Sequence, residues 1–319
     1  MAAPSRMRVS LSGAGFLGSF HLGVADALTR TGALSEVTIA GASAGAIVGA
    51  VAVSGTPISV ARKALRSLSE GARAAPMGML TPGNDLIEQV RLALDDKLPA
   101  DAHTRASGHL HVALTSLQHT TSWRWSERKR FVSEFGSRDE LIDCVCASSD
   151  IPGLTARLRA TARSPASELH EARRSALQWL LRRDVVDGGL LDLFPDPWRG
   201  QPAPSAQASP TALPPPPTHF VSPFAGVGFA VAPPRHVDAA GRRTPTVPVG
   251  HGRRIELGRA NLQRYRHAFF PPPPEVLAAY EREGLRHGLD FLAAHGWRDE
   301  PAAASGSARG AERAASEPL

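Results

Sequence analysis

A chain of 319 residues, 42% of them apolar, is long enough to bury a substantial core in one large or two modest domains. Its formal charge of +6 comes mainly from arginine, in runs such as Arg124, Arg128, Lys129, Arg130 and Arg173, Arg174, Arg182, Arg183. Such runs suit an anionic lipid surface or a solvated helix face; nucleic acid is disfavoured, because no aromatic stacking platform or reading module accompanies them.

Met7 to Leu11 is a β-prone run leading into Ser12-Gly13-Ala14-Gly15-Phe16-Leu17-Gly18. After it Phe20, Leu22, Val24, Ala25 and Leu28 recur at helical spacing as far as Gly32. A second strand, Val37 to Ala40, completes a βαβ unit and starts an α/β architecture. The N-terminus lacks the continuous apolar run of a signal peptide, so residues 1–6 read as a short extension and a cytoplasmic or peripheral membrane location is expected.

Gly13, Gly15 and Gly18 satisfy G-x-G-x-x-G where a dinucleotide-binding fold requires it. That reading also needs an acid after the second strand for the ribose hydroxyls, and Glu36 precedes the strand instead. No cofactor is expected. The same turn offers the N–H groups of Gly13, Ala14 and Gly15 to an oxygen that gains charge, as an ester carbonyl does on becoming tetrahedral.

The second strand runs into Gly41-Ala42-Ser43-Ala44-Gly45, a G-x-S-x-G followed by an Ala-rich segment able to form a helix. Strand, sharp turn and helix are what a nucleophile elbow needs, with Ser43 at the bend and Gly41 and Gly45 relieving the crowding. Two other readings fit the stretch. Glycines at 41, 45 and 49 make the small-xxx-small pattern of packed membrane helices, although Ala, Gly and Ser give a poor span. Ser43 also suits a simple N-cap on a buried helix.

Residues 56–107 read as helices, including Val60 to Leu68 and Asp85 to Leu94, and His109 to Leu117 alternates as a strand. His109 and His111 share a face of that strand without a third ligand, so no metal site is expected. Ser133 to Cys146 holds a capped helix, and Ala147-Ser148-Ser149-Asp150-Ile151-Pro152-Gly153 ends it. Cys144 and Cys146 are too close in sequence for a disulfide and read as reduced core thiols.

Ser164 to Arg183 is an amphipathic helix suited to a lid, a membrane contact or surface packing. In Val185-Val186-Asp187-Gly188-Gly189 an acid ends an apolar strand and can face a site or simply make a turn. A Pro/Ala/Ser-rich insertion covers 201–217, ordered segments cover Thr218 to Val231 and Gly252 to Ala260, and Pro271 to Pro274 leads into a last helix, Glu275 to Leu292. Residues 298–319 form a low-complexity, disordered tail.

The glycine loop SGAGFLG, the elbow GASAG and the acid motif DGG, in that order, resemble the patatin-like phospholipases. GFLG followed by His21-Leu22-Gly23-Val24, the ASSDIPG segment and the late NLQRYRHAFFPPPP stretch are similar to the branch containing adipose triglyceride lipase and adiponutrin. The resemblance covers 7–297 and implies a patatin-like three-layer α/β fold with a mainly parallel central sheet flanked by helices. It further implies that Ser43 and Asp187 form a two-residue catalytic pair and that Gly13 to Gly18 is the oxyanion loop. Ala14 replaces the family's middle glycine, Leu17 its basic residue, and Leu193 an Asn that often follows the acid motif.

The implied activity is hydrolysis of fatty acyl esters, of triacylglycerol or phospholipid, through an acyl-serine. The implied partners are the lipid ester, a membrane or lipid-droplet surface met peripherally, and a protein coactivator. A carboxylate of ordinary pKa near 4 is a weak base, so the site is expected to be partly desolvated by an apolar acyl groove. The alternatives are a Ser-His-Asp triad using His219, His236 or His251, an acyltransferase, and a lipid-surface scaffold without turnover.

Overall fold

The computed structural model describes residues 7–75, 85–119, 125–150, 185–187, 193–199, 216–237 and 241–299, and of 116–119, 125–128 and 185–187 only the backbone. The expected helix at 164–183, Ile151 to Gly153, Gly188 and Gly189, most of the Pro-rich insertion, residues 1–6 and the tail beyond Asp299 lie outside the described residues.

The first strand, β1 (Met7–Leu11), and the second, β2 (Val37–Gly41), pair in parallel with Val9 opposite Ile39. Helix α1 (Gly18–Arg30) joins them, as the βαβ reading requires. Every residue of β2 is buried, the pattern of a central strand covered on both faces. β3 (Leu110–His119) adds in parallel beside β2, and β6 (Thr218–Val221) in parallel beside β1. β4 (Trp125–Val132) and β5 (Val185–Asp187) both pair antiparallel with β3, giving a six-stranded, mainly parallel sheet. A small second sheet has the order β7 (Gly226–Val227), β9 (Arg253–Glu256), β8 (Thr246–Gly250).

Helix α2 (Ala44–Val53) follows β2 and is apolar along its whole length, with only Ile47 and Val53 partly exposed. A helix apolar all round belongs in a core. At ten residues it is half the length of a membrane span, and no helix among the described residues is long and apolar enough to cross one. Around it stand α3 (Ile58–Ala74), α4 (Leu86–Lys97), the short α5 (Ala102–Ala106) and α6 (Arg138–Ala147). α6 starts later than the sequence suggested, at Ser137, whose Oγ accepts the Glu140 N–H at 3.1 Å. Cys144 and Cys146 are both buried and form no disulfide, and burial pushes the Cys144 thiol up to about 12.

The last helices among the described residues are α7 (Arg259–Phe269) and α8 (Pro274–Ala294). α8 lies on α1 with backbones almost touching. A Cβ on Gly284 would stand 2.0 Å from the Phe20 carbonyl oxygen, and one on Gly23 2.0 Å from that of Glu281. Only glycine permits this approach, and it fixes where α8 crosses.

β4 and α7 were not anticipated from the sequence. β4 carries the run Arg128, Lys129, Arg130 and is an edge strand, where charge on the open side costs little and deters pairing with another chain. In α7 arginine, asparagine and histidine mask the helical stripe.

Candidate active site

The turn between β2 and α2 is strained. Ser43 has φ 51° and ψ −123°, one of two non-glycine residues with positive φ among the described residues, the other being His251. An L-residue holds such a conformation only where its surroundings over-determine it, and strain of this kind gathers at reacting groups. Ser43 occupies the N-cap position of α2, yet its hydroxyl caps nothing. The simple N-cap reading therefore fails, and the half-buried Oγ is left over for another use.

Backbone hydrogen bonds and two glycines hold the bend. The Ser43 N–H donates to Ser148 Oγ at 3.0 Å, and that hydroxyl donates in turn to the Ala113 carbonyl of β3 at 2.7 Å. The Ala42 N–H reaches the Leu11 carbonyl at 3.3 Å. Gly45 lets the start of α2 sit against the end of β1, where a Cβ would come 2.4 Å from the Leu11 oxygen and 2.7 Å from that of Ser12. A Cβ on Gly41 would meet the Ala46 nitrogen at 2.6 Å, so both outer glycines of the motif are required sterically.

The glycine loop at the end of β1 faces the same bend, since Gly13, Ala14, Gly15 and Gly18 line one cavity with Ser43. Gly15 has φ +53°, and a Cβ there would lie 2.1 Å from the Ala268 oxygen of α7. A Cβ on Gly18 would stand 3.3 Å from the Ala44 side chain. The Gly13 amide, counted among the oxyanion donors, is engaged with the Leu193 carbonyl at 3.1 Å. Ala14 and Gly15 remain as the loop's donors, beside Ala44, whose N–H at the first position of α2 has no partner within the helix.

His21 anchors the loop from below. Its Nε2 lies 3.0 Å from the Ser12 carbonyl and 3.2 Å from Ser12 Oγ. A carbonyl only accepts, so Nε2 carries the proton and Nδ1 is the bare nitrogen, buried without a partner. Burial accordingly pushes the imidazole down to about 4.

Asp187 ends β5, opposite Leu114 of β3. β4 occupies one edge of β3 from Val112 onward, so β2 and β5 share the other. Gly41 stands opposite Val112 and Asp187 opposite Leu114. β5 therefore continues the row of β2 from the opposite direction, with the two C-terminal ends two residues, about 7 Å, apart along β3. Ser43 leaves the sheet from that gap. The Asp187 side chain is outside the described residues. Downstream, Leu193 and Pro195 fasten this stretch to β1 and the loop, with Ser10 Oγ donating to the Pro195 carbonyl at 2.6 Å. Leu193 thus contributes a backbone acceptor and a cavity wall.

From Ser43 a cavity of about 300 Å³ runs between α2, α3 and α4. Its walls are almost wholly apolar, including Ile47 and Val51 of α2, Leu65 and Leu68 of α3, and Val90 and Leu94 of α4. Phe224, Tyr265 and Phe269 also line it. Its size and apolar lining are those of a site for an apolar group.

The three histidines weighed as a triad base are elsewhere. His219 packs edge-on against Phe291 and His295, with ring centroids 4.9 and 5.2 Å away. His236 Nδ1 lies 3.4 Å from Glu256 Oε2, and His251 Nδ1 lies 2.9 Å from an Arg199 nitrogen. None of them lines the cavity. His111 lies against Trp198, with centroids 5.2 Å apart, and burial and the neighbouring Arg8 push it down to about 4. The residue that sequence reasoning missed is Ser148, read only as part of a helix stop.

Comparison with known proteins matches residues 9–195 to the family model described as patatin-like phospholipase. The chain is 29% identical to patatin-like phospholipase domain-containing protein 2 of Rattus norvegicus over 93% of its own length and 53% of that protein, so it spans about half of that relative. It is 29% identical to human patatin-like phospholipase domain-containing protein 4 over 91% of this chain and 98% of that one. It is also 31% identical to mouse 1-acylglycerol-3-phosphate O-acyltransferase Pnpla3 over 46% of this chain and 35% of the relative.

Proposed function

Because the chain belongs to the patatin-like phospholipase family, we propose that it is a lipid acyl hydrolase that cleaves fatty acyl esters of triacylglycerol or phospholipid with Ser43 and Asp187. The observation that carries the reading is the strained Ser43, opening onto a deep apolar cavity beside the strand end that bears Asp187. Asp187 accepts the Ser43 proton as Oγ attacks the ester carbonyl. The N–H groups of Ala14, Gly15 and Ala44 and the N-terminus of α2 stabilise the oxyanion. The alcohol leaves with the proton, and water releases the fatty acid from the acyl-serine. The apolar walls support the mechanism by desolvating the carboxylate, which strengthens a weak base.

A lipid ester is presented in an aggregate, so contact with a membrane or lipid-droplet surface belongs to the same reading. The acyltransferase relative favours a second fate for the acyl-serine, attack by an acceptor alcohol in place of water.

The test is a panel of triacylglycerol, diacylglycerol, phospholipid and retinyl ester, with fluorophosphonate labelling of the serine. Ser43→Ala should abolish labelling, and Ser43→Ala and Asp187→Asn should each lower turnover at least about 10³-fold. Ala substitutions at His219, His236 and His251 should leave turnover within a few-fold. Full activity in Asp187→Asn together with its loss in one histidine variant would replace the pair by a triad; folded protein that neither labels nor turns over would leave the scaffold reading.

A further inference from the structure

Among the described residues, large exposed apolar side chains gather on and beside α7. Leu262 is 71% exposed, Phe270 47%, Phe269 43% and Tyr265 40%, and Leu257, just before α7, is 62% exposed. Leu262, Tyr265 and Phe269 follow at i, i+3 and i+7 and so share one face of α7. Arg259 and Arg266 fall on the same side, three residues before Leu262 and four after, and both are exposed. α7 contains no acid to offset them. Its remaining arginine, Arg264, points inward to Glu283 at 2.7 Å and to the Pro223 carbonyl at 2.8 Å.

This face is continuous with the cavity. Tyr265 and Phe269 are both exposed and part of the cavity wall, and Tyr265 stacks on Phe224, another wall residue, with centroids 4.4 Å apart. Behind them a Cβ on Gly15 would strike the Ala268 carbonyl, so the inner side of α7 is pressed onto the glycine loop. An apolar path thus leads from the outer face of α7 to Ser43.

We propose that the exposed face of α7 is the surface by which the protein docks on a lipid aggregate bearing anionic headgroups, and that the acyl chain passes between Tyr265 and Phe269 into the cavity. The second part rests on the acyl-ester reading of the site. Leu257, Leu262 and Phe270 enter the headgroup boundary, where exposed apolar surface is favourable, while Arg259 and Arg266 reach the phosphates, the arrangement of an interfacial helix. The positive charge selects a phospholipid surface over a second copy of this basic chain, which would repel it.

The test uses the full chain carrying Ser43→Ala, so that nothing is hydrolysed, in sedimentation with phosphatidylcholine vesicles made with and without phosphatidylglycerol. The expected result is tighter binding to the anionic vesicles. Leu262→Ser with Phe270→Ser should weaken binding to both at least about tenfold, and Arg259→Glu with Arg266→Glu should remove the anionic preference, at about fivefold per arginine. With Ser43 restored, both double variants should turn over a soluble short-chain ester at the original rate while losing activity on vesicles. Unchanged vesicle binding in both variants overturns the proposal, as does a change in oligomeric state without a change in vesicle binding. Vesicle binding that follows this pattern in a protein that hydrolyses nothing supports the docking surface and rejects only the catalytic reading.

Discussion

Acid should loosen this fold through His21. The imidazole is wholly buried and titrates near 4, against a usual value of 6.5. Below 6.5 the unfolded chain binds a proton that the folded one refuses until about 4, so stability falls as pH drops through that window and is flat beneath it. Between pH 8 and pH 5 a single such histidine costs about 2 kcal/mol, a visible fraction of a typical 5–15 kcal/mol. His111 adds a smaller amount of the same sign, since it is pushed down to a similar value but is partly exposed. Urea denaturation followed by tryptophan fluorescence at pH 8, 6.5 and 5 reads this directly. His21→Gln has no proton to gain, so its stability should fall between pH 8 and pH 5 by about 2 kcal/mol less than that of the original protein. An identical pH dependence in the two proteins would refute the argument from burial.

Ser148→Ala strands the Ser43 N–H and the Ala113 carbonyl, each at about 1–3 kcal/mol, and frees the strained elbow. Lower stability with a fall in kcat of about 10–100-fold and little change in KM is expected; equal effects on kcat and KM would argue against a positioning role. Ala93→Trp fills the α4 end of the cavity and should reduce turnover of long-chain acyl esters about tenfold or more while sparing a short-chain ester. Matched losses on both would mean that the acyl chain does not occupy that end.

What was legible in the sequence is what depends on local backbone geometry. Gly15, Gly41 and Gly45 occupy positions where a Cβ would collide with backbone, and such positions leave a glycine at a set spacing. Ser43 is legible for the same reason, because the bend that strains it needs those neighbours. Ser148 was not, since its bond to Ser43 joins residues 105 apart and a small hydroxyl in a turn signals nothing. The cavity was equally hidden: its walls come from α2, α3 and α4, and each helix alone presents an ordinary apolar stripe.

The position of Asp187 falls between these cases. Its strand could be read from the sequence, but its distance from the elbow could not, because that depends on how β3 is shared. On β3, β2 takes up only Leu110 to Val112, while β3 runs on to His119. The unused rungs on that edge accept β5, and they accept it antiparallel, which brings the C-terminal end of the acid-bearing strand toward the C-terminal end of the serine-bearing one. A parallel β5 in the same rungs would put its C-terminal end about 7 Å further along β3, beyond reach of the bend. The length of β3 and the direction of its partner therefore decide whether a serine and an aspartate so far apart in sequence can work as a pair.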